Sequence, residues 1–285
     1  MKSMKQQKRI TNFFFYTIVA SFGFLMLYPI IWTAMNSVQP NYQIFNYPLQ
    51  LWPQNNNFIW ENWSNGWAGF GQFGFARFTL NTFIVVAFAL VGTVSTAALV
   101  SFGFARVKFK GKKLAFALLM GSVMLPGQLL LIPIFLIFNN MGWVGTFLPL
   151  IVPAFLGGGA FNIFLLIQFM RGIPRELDEA AIVDGCSTFG VFFNVILPLI
   201  KPALVTIAIF TLLGAWDDFM GPLIYLRGPA NRTIALGLRD FMDATSGINW
   251  GPLLAMATFS IVPQLVLFAI FQKSIIEGIA TTGIK

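Results

Sequence analysis

Apolar residues run along this chain in long, nearly unbroken blocks, separated by short polar or charged stretches. No charged residue occurs from Ile10 to Trp60, from Phe78 to Ala105, from Leu114 to Met170, or from Ala244 to Gln272. A helix needs about 20 predominantly apolar residues to cross a hydrocarbon core about 30 Å thick. The blocks therefore predict six spans, at roughly Phe13–Met35, Thr79–Phe104, Leu114–Phe138, Thr146–Met170, Val195–Ala215 and Leu253–Phe271. Pro126, Pro133, Pro149, Pro153, Pro198, Pro202 and Pro263 fall within or at the edges of these spans, and Gly157-Gly158-Gly159 interrupts the fourth. Each proline removes a backbone donor, which is tolerated where neighbours or a water-filled cavity satisfy the freed carbonyl.

Composition agrees with the pattern. The chain is 57% hydrophobic and 10% charged, with 33 Phe and a mean hydropathy of +0.75, against roughly 25% charged residues in a soluble domain. The expected class is an all-α polytopic membrane protein, a single transmembrane domain over 1–285. The net charge of +8 does not point to nucleic acid, because its placement follows the span ends and forms no stripe that could track phosphates. Lys2, Lys5, Lys8 and Arg9 precede the first apolar run, and Arg106, Lys108, Lys110, Lys112 and Lys113 crowd one loop. Lys and Arg favour the cytoplasmic side. Counted by connection they divide 14 against 4 in favour of both termini, the second and the fourth connections facing inward. The Lys-rich start before Phe13–Ile31 reads as an uncleaved first span, since the apolar run is longer than a usual signal core and lacks an obvious cleavage site.

The first connection carries Trp52, Trp60, Trp63 and Trp67 among several Asn, a composition suited to the membrane–water boundary on the outer side. Asn139-Asn140-Met141-Gly142 is enough to turn the chain between the third and fourth spans. With one cysteine, Cys186, an intrachain disulfide is impossible, and with zero His neither imidazole catalysis nor a His-bound metal is available. No metal site and no catalytic residue is expected.

The fourth connection carries the densest chemistry. Pro174 suits a helix start, and Glu176, Asp178 and Glu179 favour the positive end of its dipole. Leu177, Ala180, Ala181 and Asp184 fall at i, i+3, i+4 and i+7, a mostly small and apolar side. Gly185 permits a sharp turn, and Phe189, Phe192 and Phe193 follow as an apolar surface leading back to the membrane. The residues predict a short helix, a turn and a second short helix, suited to a groove on a partner protein. The bland alternative is an amphipathic linker that merely connects two spans.

The spacing Glu179-Ala180-Ala181, three residues, Gly185, then Leu197-Pro198 resembles the coupling loop of carbohydrate ABC importer permeases of the maltose-transporter type. Val195 stands where that family usually has Ile, a shape-conserving swap. Trp216-Asp217-Asp218-Phe219 followed by Pro222-Leu223 is similar to the family's Trp-Asn-x-Phe…Pro-Leu element, with Asp217 in place of Asn. Arg232-Thr233, Gly237-Leu238 and the closing Gln272…Glu277-Gly278…Gly283 also fit. The resemblance implies a type I importer permease fold with a coupling loop at about 172–194, in which Glu179, Ala180, Ala181, Asp184, Gly185, Leu197 and Pro198 engage an ATPase. It further implies a second permease subunit, two ATP-binding subunits and an extracytoplasmic solute-binding protein as partners, a sugar as substrate, and a bacterial inner-membrane location.

No Gly-x4-Gly-Lys-Ser/Thr motif occurs, so no cofactor is expected on this chain, and ATP and Mg are left to the partner ATPases. Gln128, Asn162, Trp216, Asp217 and Gln264 are the candidates for the substrate pathway, because amides bond hydroxyls and rings stack on sugar faces; helix–helix hydrogen bonding is the competing explanation for each amide. Asp218, Arg227, Arg232, Arg239 and Asp240, with Asp243, form a charged outer rim suited to docking the binding protein. A non-sugar importer, an intramembrane enzyme and a channel or receptor are the alternatives. Spans without charge or His argue against the enzyme.

Overall fold

The computed structural model describes residues 2–45, 51–69, 72–242 and 248–280, with side chains from 8 to 272. The described residues are mostly helical. The α-helices in chain order are α1 Lys2–Asn36, α2 Asn41–Ile44, α3 Glu61–Ala68, α4 Phe75–Ala105, α5 Lys112–Met124, α6 Gly127–Asn140, α7 Leu148–Phe155, α8 Ala160–Arg171, α9 Glu176–Val183, α10 Thr188–Val191, α11 Leu197–Leu199, α12 Lys201–Trp216, α13 Met220–Tyr225, α14 Ile234–Asp240 and α15 Trp250–Ala280. Apolar chain in lipid must satisfy its backbone groups internally, and helices do so within one segment.

Among the described residues four stretches are long and apolar enough to cross a membrane alone: Lys8–Asn36, Phe75–Ala105, Leu148–Arg171 and Trp250–Gln272. The number becomes six when α5 with α6, and Thr188–Leu199 with α12, are each counted as one span. These two are bent by 104° and 76°, at prolines that the sequence pattern places within the third and fifth spans. The cause of the first bend is local. Leu125 precedes Pro126 and is driven to extended backbone (φ −78°, ψ 120°), as a residue before proline is. At the second, Ile200 leaves helical geometry (φ −88°, ψ 2°) and Pro202 enters the first turn of α12, where its missing donor costs nothing.

The chain falls into two compact units, Met1–Phe75 with Leu238–Pro263, and Ala76–Gly237 with Gln264–Lys285. In the first unit α1 is apolar all round; Phe13, Tyr16, Phe24 and Leu25 are each well over half exposed, the surface expected of a span facing lipid or other spans. Its end is tied by polar groups. Asn36, Ser37 and Gln39 are buried, and buried Asn62 on α3 donates to the Ser37 and Gln39 carbonyls at 3.0 Å each. Trp63 donates from Nε1 to Ser37 Oγ at 3.2 Å, while Trp52 and Trp60 stay exposed. Part of the Trp- and Asn-rich connection is thus a polar staple. Gly66 lets α3 approach α15, since a Cβ there would lie 2.8 Å from Met256 Cε.

The second unit is organised on α4. Ala97, Ala98, Phe102 and Ala105 pack against Ile163, Leu166, Ile167 and Met170 of α8 and against Val191, Phe192, Ile196, Ile200, Ala203 and Ile207. Small residues allow such close packing where lipid supplies no hydrophobic drive between helices. Buried Ser101 donates to the Ile163 carbonyl at 3.0 Å. Thr96 donates to the Ala154 carbonyl at 2.9 Å, where α7 gives way to α8. Gly158, in that break, has φ +64°, and a Cβ on it would stand 2.6 Å from Ala97 N. The neighbouring Gly157 faces open space. One glycine of the three is therefore demanded by both backbone and packing.

Gly158→Ala should destabilise the chain by about 3 kcal/mol or more through left-handed strain plus overpacking, whereas Gly157→Ala should be close to neutral. Thermal unfolding of the two purified variants in detergent checks this. Equal midpoints would contradict the close approach of α4 to the break.

Candidate functional site

The site is built on the connection between α8 and α12, within the second unit. Arg175 caps α9, accepting from the amides of Asp178 at 2.9 Å and Glu179 at 3.1 Å. Pro174 stands just before that cap, and Glu176, Asp178 and Glu179 fill the first turn as the dipole favours. The helix ends in a Schellman arrangement: Gly185 donates to the Ile182 carbonyl at 3.0 Å and Cys186 to the Ala181 carbonyl at 2.9 Å. Gly185 has φ +87° with nothing near a would-be Cβ, so the requirement here is conformational and not steric. Ser187 then caps α10, its Oγ accepting from Gly190 N at 3.2 Å. A π-helical turn, Phe192–Ile196, leads to Leu197-Pro198. The short helix, turn and second short helix follow the sequence reading.

Which side of α9 faces outward does not. Ala181 is buried in the core of the second unit, as is Phe192, whose ring lies 5.0 Å from that of Phe102. The exposed apolar residues are instead Leu177, Ile182, Val183 (86% exposed), Phe189 and Phe193. Glu179, Ala180, Asp184, Gly185 and Pro198 are exposed beside them, Leu197 is half-buried, and Cys186 is half-buried against the core. Of the seven residues selected from the sequence, Ala181 is the one that is buried, and it serves packing.

Sequence reasoning missed the anchor. Arg106, immediately after α4, is 6% exposed, and its Nε lies 3.1 Å from Oδ2 of Asp178, itself 14% exposed. The contact is an ion pair rather than an aligned hydrogen bond: neither Arg106 Nε nor Asp178 Oδ1 has a hydrogen-bond partner. Arg106 Nη2 donates to the Ile173 carbonyl at 2.8 Å, and Arg175 reaches back to the Ala105 carbonyl at 3.3 Å. Two guanidiniums thus cross between α4 and α9 in opposite directions. Breaking a buried pair leaves an uncompensated charge and costs about 3–5 kcal/mol. A groove of about 380 Å³ runs beside the pair, lined among others by Arg175, Glu179, Ile182 and Thr188.

The pathway candidates separate. Asp217, exposed at the end of α12, accepts a hydrogen bond from Gln264 Nε2 of α15, so two candidates distant in sequence meet. Gln264 also edges an otherwise apolar cavity lined by Leu90, Val205, Leu212 and Phe268. Trp216 is buried, 5% exposed, with its ring edge-on to Phe83 at 5.2 Å. A large ring at a helix end is stabilised more by burial than by waiting in an open cavity. Asn162 donates to the Gly158 carbonyl at 3.1 Å and satisfies the broken helix, a local bond where the sequence analysis weighed a bond to another helix against a substrate role. Gln128 is exposed at the start of α6.

Among the rim residues, Asp218 accepts from Gly221 N, in the first turn of α13, at 3.0 Å. Burial, and then the Asp218 carboxylate, push the Tyr225 hydroxyl above its ordinary pKa, so it stays neutral. Arg227 is exposed. Arg232, half-buried, lends its carbonyl to Asn81 at 2.8 Å. Arg239, exposed, and Asp240, half-buried, close α14 in the first unit. Asp243 and Gly283 lie outside the described residues, as do the side chain of Glu277 and the surroundings of Gly278.

Comparison with known proteins bears on these placements. Residues 96–277 match the family model for the binding-protein-dependent transport system inner membrane component. The chain is 36% identical over 273 residues to the probable ABC transporter permease protein YurM of Bacillus subtilis (strain 168), covering 94% of this chain and 88% of that one. It is 29% identical to the arabinooligosaccharides transport system permease protein AraQ of the same organism, over 96% and 98% of the two chains. In fold it is similar to a bacterial ABC transporter involved in the import of the acidic polysaccharide alginate, with a TM-score of 0.79, 19% identity, and coverage of 93% and 96%. These matches make the chain a multi-pass transporter subunit and not an enzyme. Coupling-like loop, bent apolar spans and matching residues together lead to one conclusion: the chain belongs to the binding-protein-dependent transport system inner membrane components, the permease subunits of ABC importers.

Proposed function

We propose that this chain forms half of the translocation pathway of an ATP-driven importer for an oligosaccharide or other sugar, and that its α9–α10 element receives the stroke of a separate ATPase. The observation that carries the coupling role is the exposed face of Leu177, Ile182, Val183 and Phe189, rimmed by Glu179 and Asp184, on an element fastened underneath by Arg106. Exposed apolar residues with a charged rim suit a groove on a partner. The sugar assignment is supported by the arabinooligosaccharide relative and by the hydrogen-bonded Asp217 and Gln264.

The partners in this reading are a second homologous permease, two ATP-binding subunits and an extracytoplasmic solute-binding protein. ATP and Mg are bound by the ATP-binding subunits and not by this chain. Closure of those subunits around ATP pushes α9. Because Arg106 joins α9 to the end of α4, the push reaches the span that organises the second unit, and the spans exchange inward- and outward-open states. Asp218, Arg227 and Arg232, with Arg239 and Asp240, serve the binding protein by steering it rather than by adding much affinity. In a bacterial inner membrane both termini and the α8–α12 connection face the cytoplasm in this reading, which the Lys and Arg distribution supports.

Glu179→Lys should leave the transporter assembled but lower substrate-stimulated ATP hydrolysis by at least about tenfold, the loss expected when a rim charge meets a groove of opposite design. Normal transport by this variant would remove the coupling role from the loop. A reporter active only in the cytoplasm should be active when fused after Lys285 and silent when inserted near Asn56. The reverse pattern would overturn the orientation and, with it, access of the ATPases to α9.

A further inference from the structure

The charge-free stretch 114–170 is bracketed by Lys112 and Lys113 on one side and Arg171 on the other. The fold brings the two ends back together. Around this junction lies a pocket of about 610 Å³, rimmed by Lys108, Lys112, Lys113 and Arg171 over a floor that includes Phe104 and Phe116. The cations are held by neutral groups. Lys112 Nζ donates to the Val107 carbonyl at 2.9 Å and lies 5.9 Å from the Phe109 ring. The Arg171 guanidinium lies 5.5 Å from the Phe116 ring. Among the described residues none of these four cations has a carboxylate partner; the nearby buried carboxylate, Asp178, faces Arg106. Four like charges gathered without counter-ions repel one another and call for an anion.

The position selects which anion. The pocket sits where α5 enters and α8 leaves the apolar region. Between the cations the pocket is lined by the rings of Phe104, Phe109 and Phe116. A ligand filling this place has a negative head among the cations and an apolar body against those rings. Basic pockets between spans bind the head groups of anionic lipids on these grounds, whereas a free phosphate would leave the aromatic lining unused. We propose that Lys108, Lys112, Lys113 and Arg171 form a binding site for the phosphate of an anionic phospholipid, whose acyl chains start against Phe104 and Phe116. The site adjoins the Arg106 and Arg175 anchors of α9, so an occupied head-group site lowers the repulsion against which α9 is held. With the orientation proposed above the pocket opens to the inner leaflet; lipid retention is read without reference to side, so a failure here and a failure of that orientation are separate results.

The purified full chain in mild detergent is titrated with dioleoyl phosphatidylglycerol or dioleoyl phosphatidylcholine, and bound lipid is counted by native mass spectrometry. One phosphatidylglycerol should bind at least about tenfold tighter than phosphatidylcholine. The Lys112→Gln, Lys113→Gln, Arg171→Gln combination should weaken it roughly 100-fold, at about 1 kcal/mol per cation removed, and Arg171→Gln alone roughly fivefold. Neutralising Lys5, Lys8 and Arg9 together should change nothing. Equal retention of the two lipids by the wild-type chain, which needs no variant to fold, would overturn the proposal. So would full displacement by inorganic phosphate at matched concentration, which marks a free-anion site, or equal weakening by the N-terminal neutralisation, which marks a general charge effect.

Discussion

One buried cation holds the functional end of this molecule together. Arg106 leaves α4 at the point where apolar sequence gives way to charge, and there it meets Asp178 and the Ile173 carbonyl. Without it α9 would keep only the Arg175 bond to the Ala105 carbonyl and the packing of Ala181, and an eight-residue helix has little intrinsic stability. With it, the end of the central span and the exposed apolar face of α9 are mechanically one body. A buried ion pair is weak evidence of stability, since its desolvation offsets much of its attraction. Its value here is geometric: the guanidinium fixes where the loop sits, and a loop that slid would absorb a partner's push.

Most of the loop was legible in sequence. Carboxylates early, small residues midway and Gly185 at the end dictate a short helix, its polarity and its turn, because dipole, packing and left-handed backbone are local matters. The face directed outward was not legible. Periodicity groups Leu177, Ala180, Ala181 and Asp184 on one side, but which member of that side meets the core depends on elements distant in sequence, and of the four Ala181 alone is buried. Arg106 was hidden for a different reason. Its basic neighbours are all accounted for by the preference of Lys and Arg for one side of a membrane, and nothing in spacing distinguishes the one member that turns inward, 67 residues from the carbonyl it bonds.

The spans show the same division. Pro126 announces an interruption and the residue before it obeys the usual restriction, but the size of the resulting 104° turn is not written in the apolar pattern. Gly157-Gly158-Gly159 reads as a weak helix, and only the approach of Ala97 shows that Gly158 carries the requirement. At the far end of α12 the Trp-Asp pair splits: Trp216 is drawn inside by its area and Asp217 stays out to accept from Gln264. Neighbouring residues in a motif need not share a task.

The account stands on Arg106 holding α9 to α4, and hydrogen–deuterium exchange in the assembled transporter tests it most directly. In Arg106→Leu, amides of residues 173–186 should exchange at least about 100-fold faster, the factor that corresponds to losing a buried pair worth about 3 kcal/mol or more, while α8 and α12 keep their protection and Lys110→Leu leaves the segment unchanged. Unaltered exchange across 173–186 in Arg106→Leu would mean that the loop is held by something else, and the mechanical link from α9 to the spans would fail with it.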